Sequence, residues 1–246
     1  MRSRSRIRTL LDTLVQGDVP IRELLRSGFS VSAYRLVGSI AHYCSRFATI
    51  IDVGANIGQF ALAAARRFPS AVICSFEPLP DVAAELRRKV SRRQRIKVFE
   101  CALGSQTQEL SFFRNDYTPV SSALVIPELS LHPDYSQQNA RKVRVQCFRL
   151  DALKQEVGFV PPVLLKLDVQ GYEQEVLGGA GAVLDGIEWI VVESAFVQLY
   201  ENQPLFDSTH SLLNRLGYRF VAPMAFNEGR GHAIIEMDSL YRKNRV

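Results

Sequence analysis

The sequence predicts an α/β domain built on a mostly parallel, doubly wound sheet with a C-terminal antiparallel hairpin. Two observations carry the prediction. From Ala48 onward, short apolar runs alternate with segments of helical periodicity, the pattern of repeated β-α-β units. The first two runs each end in an acid, Asp52 and Glu77, with a glycine turn between them. Strand, glycine turn, helix, strand and acid make half of a nucleotide-binding, Rossmann-like unit.

Residues 1–48 read as an N-terminal helical cap. Leu10, Leu11, Leu14, Ile21, Leu24 and Leu25 recur at helical spacing, and Pro20 and Gly28 interrupt them. The main domain is 49–246. Apolar runs place strands at 49–54, 71–76, 96–101, 163–168 and 188–194, and amphipathic runs place helices at 57–68, 80–90, 172–184 and 207–216. Two extended segments, 108–114 and 142–150, lack an intervening helix. The stretch 115–140 between them is polar and carries Pro119, Pro127 and Pro133. A loop this long in a compact domain is usually functional, so 108–150 is expected to be an insertion over the ligand cleft. Tyr218–Ala222 and His232–Met237 form the expected hairpin.

The first turn, Asp52-Val53-Gly54-Ala55-Asn56-Ile57-Gly58, departs from the G-x-G-x-x-G of dinucleotide sites. Glycines let backbone approach a ligand where a Cβ would collide. A carboxylate at Asp52 would repel a pyrophosphate but suits an ammonium group. S-adenosylmethionine has a ribose, an adenine and an amino-acid tail without phosphate, so the turn favours it over NAD. Glu77 can accept two hydrogen bonds from a ribose diol. A glycine turn with no ligand is the plainer reading of the same residues.

The run Leu164-Leu165-Lys166-Leu167-Asp168-Val169-Gln170-Gly171-Tyr172-Glu173 is a buried strand, an acid, a glycine turn and a helix start. Ligands of open α/β sheets bind at the C-terminal ends of the strands. Asp168 therefore shares a rim with Asp52 and Glu77, and Glu193 ends the next strand. Asp168, Lys166, Glu193 and Glu173 are the catalytic candidates. Glu173 could instead cap the helix, and Glu193 could pair with Lys166. Lys166 points to the same face as Asp168 and needs an acid partner there, because a buried lysine is rare without one.

The composition is that of an ordinary globular protein, 47% hydrophobic and 22% charged, and no apolar run is long enough to span a bilayer. The N-terminus is basic but no long apolar stretch follows, so no signal peptide is expected. Cys44, Cys74, Cys101 and Cys147 form no C-x-x-C pair. Buried free thiols and a cytoplasmic location are expected. The net charge of +5 arises largely from the N-terminal arm and from Arg87, Arg88, Lys89, Arg92, Arg93, Arg95 and Lys97. That cluster reads as a solvated face, with peripheral contact to an anionic surface as the alternative. It has no interleaved aromatics, so nucleic acid is not an expected partner. The sequence assigns no oligomeric state.

Asp52–Gly58, then Phe76-Glu77-Pro78, then Ala102-Leu103-Gly104, then Leu165–Ala180 together resemble the FkbM-type methyltransferases, over about residues 48–222. The resemblance implies a class I, S-adenosylmethionine-dependent O-methyltransferase domain over 49–246. Gly54, Ala55, Asn56 and Gly58, with Asp52, would then surround the methionine tail. Glu77, next to Pro78, would hold the ribose, and Ala102 and Leu103 would pass the adenine. Asp168 would face the methyl donor. The Asn/Asp-Pro-Pro-aromatic motif of amino-directed nucleic-acid enzymes is missing, which favours a hydroxyl on a sugar, glycan, glycolipid or secondary metabolite. Asp168 is the expected base. In the alternative, Asp168 and Glu193 hold a Mg²⁺ ion, although Gln170 stands where many relatives have Glu. His132 in the insertion is a further titratable candidate. An NAD-type oxidoreductase and an inactive Rossmann-like binding module are the competing functions.

Overall fold

The computed structural model describes residues 30–127, 140–228 and 233–244. The leucines of the predicted N-terminal cap before Ser30, and His132, lie outside them. In chain order the elements are α1 Val31–Tyr43, β1 Thr49–Val53, α2 Gln59–Arg67, β2 Val72–Phe76, α3 Pro80–Val90, β3 Ile96–Phe99, β4 Ala102–Leu103, β5 Gln108–Asn115, β6 Ala140–Phe148, α4 Lys154–Val157, β7 Val163–Leu167, α5 Glu173–Gly178, β8 Trp189–Ala195, α6 Phe206–Arg215, β9 Tyr218–Glu228 and β10 Ile234–Lys243.

Seven strands form one sheet in the order β3-β2-β1-β7-β8-β10-β9. The first five are parallel, and β10 runs antiparallel between β8 and β9. The expected C-terminal hairpin is therefore present, and its second strand inserts beside β8. Alternation along the strands covers both faces. Ile50, Ile73, Leu164, Val191 and Leu240 pack under α1, α2 and α3. Ile51, Cys74, Leu165, Ile190 and Tyr241 pack under α5 and α6. Strand order reverses at β1, where the chain crosses back from the β2 and β3 side to β7 on the other, and a crevice opens at the C-terminal ends of β1 and β7, where ligands of such sheets bind.

Local chemistry sets the element ends. Ser30 caps α1, its Oγ accepting from Ala33 N at 3.3 Å. The helix expected from 57 starts only at Gln59, because Asn56 (φ 47°) and Gly58 (φ 89°) hold a left-handed turn. The helix expected over 172–184 breaks into α5 and a 3₁₀ segment, Gly181–Gly186. A Cβ at Gly179 would lie 1.8 Å from the Gly104 carbonyl oxygen, so chain packing, not helix propensity, decides that stretch. Arg87, Arg88 and Lys89 occupy the last turn of α3, where cations suit the helix dipole. They pair locally, Arg88 and Lys89 with Glu85 and Arg87 with Glu100.

The described residues of 108–150 supply β5 and β6, which pair with β4 in a second small sheet of order β4-β6-β5. All four cysteines are free, and Cys74, Cys101 and Cys147 are buried. Among the described residues, no helix is long and apolar enough to cross a membrane.

Candidate active site

The first turn is built by close backbone approach. Gly54 N and Ala55 N donate to the Phe76 carbonyl at 3.1 and 3.0 Å. A Cβ on Gly54 would lie 1.8 Å from the Asp168 carbonyl oxygen, and φ is +76°. Glycine is thus required so that β1 and β7 can end side by side. This corrects the expectation that its missing side chain mainly makes room for ligand. Gly58 is also not on the cleft wall, and its missing Cβ makes room for Leu86, whose Cδ1 would be 2.5 Å away.

Glu77 follows β2. Its Oε2 accepts from Asn56 N at 2.9 Å and its Oε1 from Leu79 N at 3.0 Å. Burial pushes its carboxyl up to about 7 against the pull of those two N–H groups. It opens onto a cavity of about 800 Å³. Gly54, Ala55 and Asn56 line the same cavity, as do Pro78 and, from β4, Ala102 and Leu103.

On the sheet face beneath α1 and α2, the strand tips change from apolar to charged two residues past the core. Ile50 gives way to Asp52, Leu164 to Lys166, Val191 to Glu193, and Leu240 to Asp238 and Glu236. Asp52 and Lys166 are register partners across β1 and β7. Lys166 Nζ lies 3.3 Å from Asp52 Oδ1 and 3.2 Å from Asp168 Oδ2, and it donates to the Gly54 carbonyl at 3.2 Å. It also sits 5.7 Å from the Phe60 ring centroid. Burial opposes its charge, but Asp168 and Asp52 outweigh that and raise its pKa. Burial raises Asp52 despite the lysine. Asp168 is lowered: burial opposes its charge, and Lys166 with a Gln170 hydrogen bond prevails. Glu193 pairs in register with Asp238 across β8 and β10. Burial first, then Asp168, Glu236 and Asp238, pushes Glu193 well above the carboxylate range. Asp238 is pushed up to about 7, mainly by burial.

Lys166, Asp168 and Glu193 therefore meet on the cleft wall. Besides Gly58, two predicted site residues do not reach it. Asp52 is fully buried on β1, behind Lys166, so the lysine stands between it and any ligand ammonium. Glu173 Oε1 accepts from Val169 N at 3.0 Å and Gly171 N at 3.2 Å, which ties the turn after β7. It does not cap the helix as the alternative expected, since the N-cap of α5 is Tyr172 and no side chain caps it. Glu193 does not pair with Lys166.

The alternative Mg²⁺ site does not fit. Gln170 Nε2 sits between the two carboxylates, 3.1 Å from Asp168 Oδ1 and 2.7 Å from Glu193 Oε2. An amide N–H₂ there supplies the positive end that a cation would need oxygens to replace. Among the described residues, no group of three or more His, Cys, Asp or Glu is placed to hold a metal ion.

Sequence reasoning missed Gln170 as a bridge, Tyr200 behind it, and the acids of β10. Glu236 and Asp238 stand two apart on an extended run, a legible same-face signal. Tyr200 lies in an irregular loop and gives no such signal. The insertion supplies the far wall through Thr118, Pro119, Val120 and Ala123.

The cavity suits S-adenosylmethionine better than a phosphate-bearing nucleotide. Among the described residues, Lys166 is the only cation on its wall, and two carboxylates already share it. Glu77 offers acceptors beside an apolar slot of Leu79, Val82 and Leu103, which fits a ribose and adenine.

Fold and site together define a class I-type methyltransferase that depends on S-adenosylmethionine. The chain belongs to the methyltransferase FkbM domain family, whose model matches residues 52–220. It is 31% identical to methyltransferase sdnD of Sordaria araneosa, over 69% of this chain and 73% of that protein. It is 28% identical to the 2-O-methyltransferase NoeI of Sinorhizobium fredii (strain NBRC 101917 / NGR234), over 63% and 66% of the two chains. The fold is shared with magnesium protoporphyrin IX methyltransferase (ChlM) from Synechocystis PCC 6803, solved with bound SAM, at a TM-score of 0.50 and 9% identity over 87% of this chain and 81% of that one.

Proposed function

We propose that the protein methylates a hydroxyl of a sugar, glycan, glycolipid or secondary metabolite, with Asp168 as the base. The observation that carries this reading is an ionised carboxylate on the cleft wall at the β7 tip, beside the glycine turn of β1. When bound, S-adenosylmethionine supplies an electrophilic methyl group whose transfer leaves a neutral thioether. The protein must align an acceptor oxygen with that methyl, and alignment alone lowers such barriers by on the order of 7–11 kcal/mol in favourable cases. A hydroxyl oxygen is a poor nucleophile until its proton is shared. Asp168 is held ionised by Lys166 and so has room to accept that proton. Burial and the neighbouring acids push the Glu193 carboxyl up, which lessens the negative charge beside Asp168. Glu77 orients the ribose. NoeI is described as a 2-O-methyltransferase, which supports an oxygen acceptor.

The test uses S-adenosylmethionine tritiated in its methyl group and a panel of free sugars, oligosaccharides and small hydroxyl compounds. Label should enter a product that survives mild alkali, as an ether does and an ester does not. Asp168→Asn should lower that transfer by about 10²–10⁴. Label found only on amines, or undiminished in Asp168→Asn, would refute the reading.

A further inference from the structure

Gln170 stands at the centre of the acid group without a role in the chemistry above. Its backbone lies at φ 56°, in the left-handed region that residues with a Cβ rarely enter. Several contacts hold it there. Ser122 Oγ donates to the Gln170 carbonyl at 2.7 Å. The Tyr200 hydroxyl lies 2.8 Å from Gln170 Oε1 and 3.0 Å from the Val120 carbonyl, one proton shared between two acceptors. The amide nitrogen donates to Asp168 and Glu193. Val120 and Ser122 belong to the insertion. Val120, Ile126, Leu199 and Tyr200 form a small buried cluster beneath it, and Glu201 N donates to the Val125 carbonyl at 2.8 Å. An unfavourable backbone conformation persists where its surroundings over-determine it, and such places cluster at functional sites.

We propose that Gln170 is a positioning residue: its amide fixes Asp168 and Glu193 in one arrangement that keeps the Asp168 charge turned toward the methyl donor, and the insertion fixes Gln170 through Ser122 and Tyr200. The inference rests on the reading that Asp168 faces bound S-adenosylmethionine. The amide suits the task because it carries two hydrogens and no net charge, one hydrogen for each carboxyl group. The charged groups around the pair are Lys166 on β7, Asp52 on β1, Glu173 on α5, and Glu236 and Asp238 on β10. Lys166 is already divided between Asp52 and Asp168. Without the amide, the pair relieves its repulsion by keeping a proton to higher pH.

S-adenosylmethionine is a sulfonium cation, and S-adenosylhomocysteine is the uncharged thioether with the same ribose, adenine and tail. The ratio of their dissociation constants reads the charge near the sulfur, and the contribution of Glu77 cancels from it. Both ligands are titrated calorimetrically into wild type, Gln170→Ala, Gln170→Glu and Tyr200→Phe across the neutral range. In Gln170→Ala the ratio should shift toward S-adenosylhomocysteine by roughly tenfold, the size of one hydrogen bond lost to a charged group, and its pH midpoint should rise. Gln170→Glu should shift the midpoint further, and Tyr200→Phe should shift the ratio the same way by less. Folded Gln170 variants with the wild-type ratio at every pH would overturn the proposal, as would equal weakening of both ligands, the mark of structural damage alone. If the Gln170 variants do not fold, Tyr200→Phe decides, and an unmoved ratio there overturns it. Asp168→Asn is measured alongside. If it leaves the ratio unchanged, Asp168 does not face the sulfur and the parent reading fails, whatever Gln170 does.

Discussion

Under the proposed function Glu77 offers acceptors to a ribose diol, and Glu77→Ala removes them. Both Glu77 oxygens are already anchored by the N–H groups of Asn56 and Leu79, at 2.9 and 3.0 Å, so the carboxylate is aimed before any ligand arrives. Hydrogen bonds to a charged group contribute about 1.5–3 kcal/mol. Affinity for S-adenosylmethionine should therefore fall by roughly 10- to 150-fold. The wild type should also show a pH dependence that the variant lacks. Burial holds the free carboxyl at about 7, and only the ionised form accepts from both hydroxyls. Below that value, wild-type affinity should weaken by about tenfold per pH unit until it reaches that of the variant, with a plateau above it. Calorimetric titrations of both proteins over the same pH range give the result as a difference of two curves, which removes titration of the ligand's own groups. Equal affinities, or the same slope in both proteins, would refute the assignment.

Gly54→Ala should cost roughly 3 kcal/mol or more of stability, because its Cβ meets the Asp168 carbonyl and its φ is positive; chemical denaturation of the purified variant measures this. Glu173→Ala should lower stability by about 1–3 kcal/mol by releasing the Val169 and Gly171 N–H groups, seen as a lower melting temperature that Glu173→Gln partly restores. The ligand-free protein should melt at a lower temperature as pH rises through about 7. Glu77, Glu173 and Asp238 are each held near 7 by burial. Between the ordinary carboxylate range and about 7 the folded chain binds more protons than the unfolded one, so this contribution is full at the acid end and lost as they ionise. A melting temperature that climbs from about pH 5 to about 7.5 would contradict these shifts.

The parallel core was legible because burial on both faces leaves short apolar runs, such as Ile50-Ile51 in β1 and Val163-Leu164-Leu165 in β7. The rim acids were legible for a related reason, since a charge ending such a run must sit at a strand tip. Pairing was not legible. Whether Lys166 met Asp52, Asp168 or Glu193 depended on how β7 registers against β1 on one side and β8 on the other, and register leaves no mark on a single sequence. β4, two residues long, offered no periodicity to read. The bridge at Gln170 depended on a left-handed backbone that glutamine does not advertise, and on Tyr200 arriving from a loop.

The cleft is assembled from two kinds of chain. The side that holds Glu77 and the glycine turn comes from one continuous stretch, Val53 to Leu103, most of it carried by β1, β2 and β3 of the parallel sheet. The opposing side comes from the small separate sheet's loop at Thr118–Ala123 and from the far ends of β9 and β10. Those parts share few hydrogen bonds with the strands that carry the first side. Lineages can therefore remodel the second wall by insertion, deletion or exchange of whole loops while the first stays constant. One family can diversify its acceptors without reinventing its cofactor site. In this chain the limit on such drift is Gln170, where the exchangeable wall is tied to the constant one.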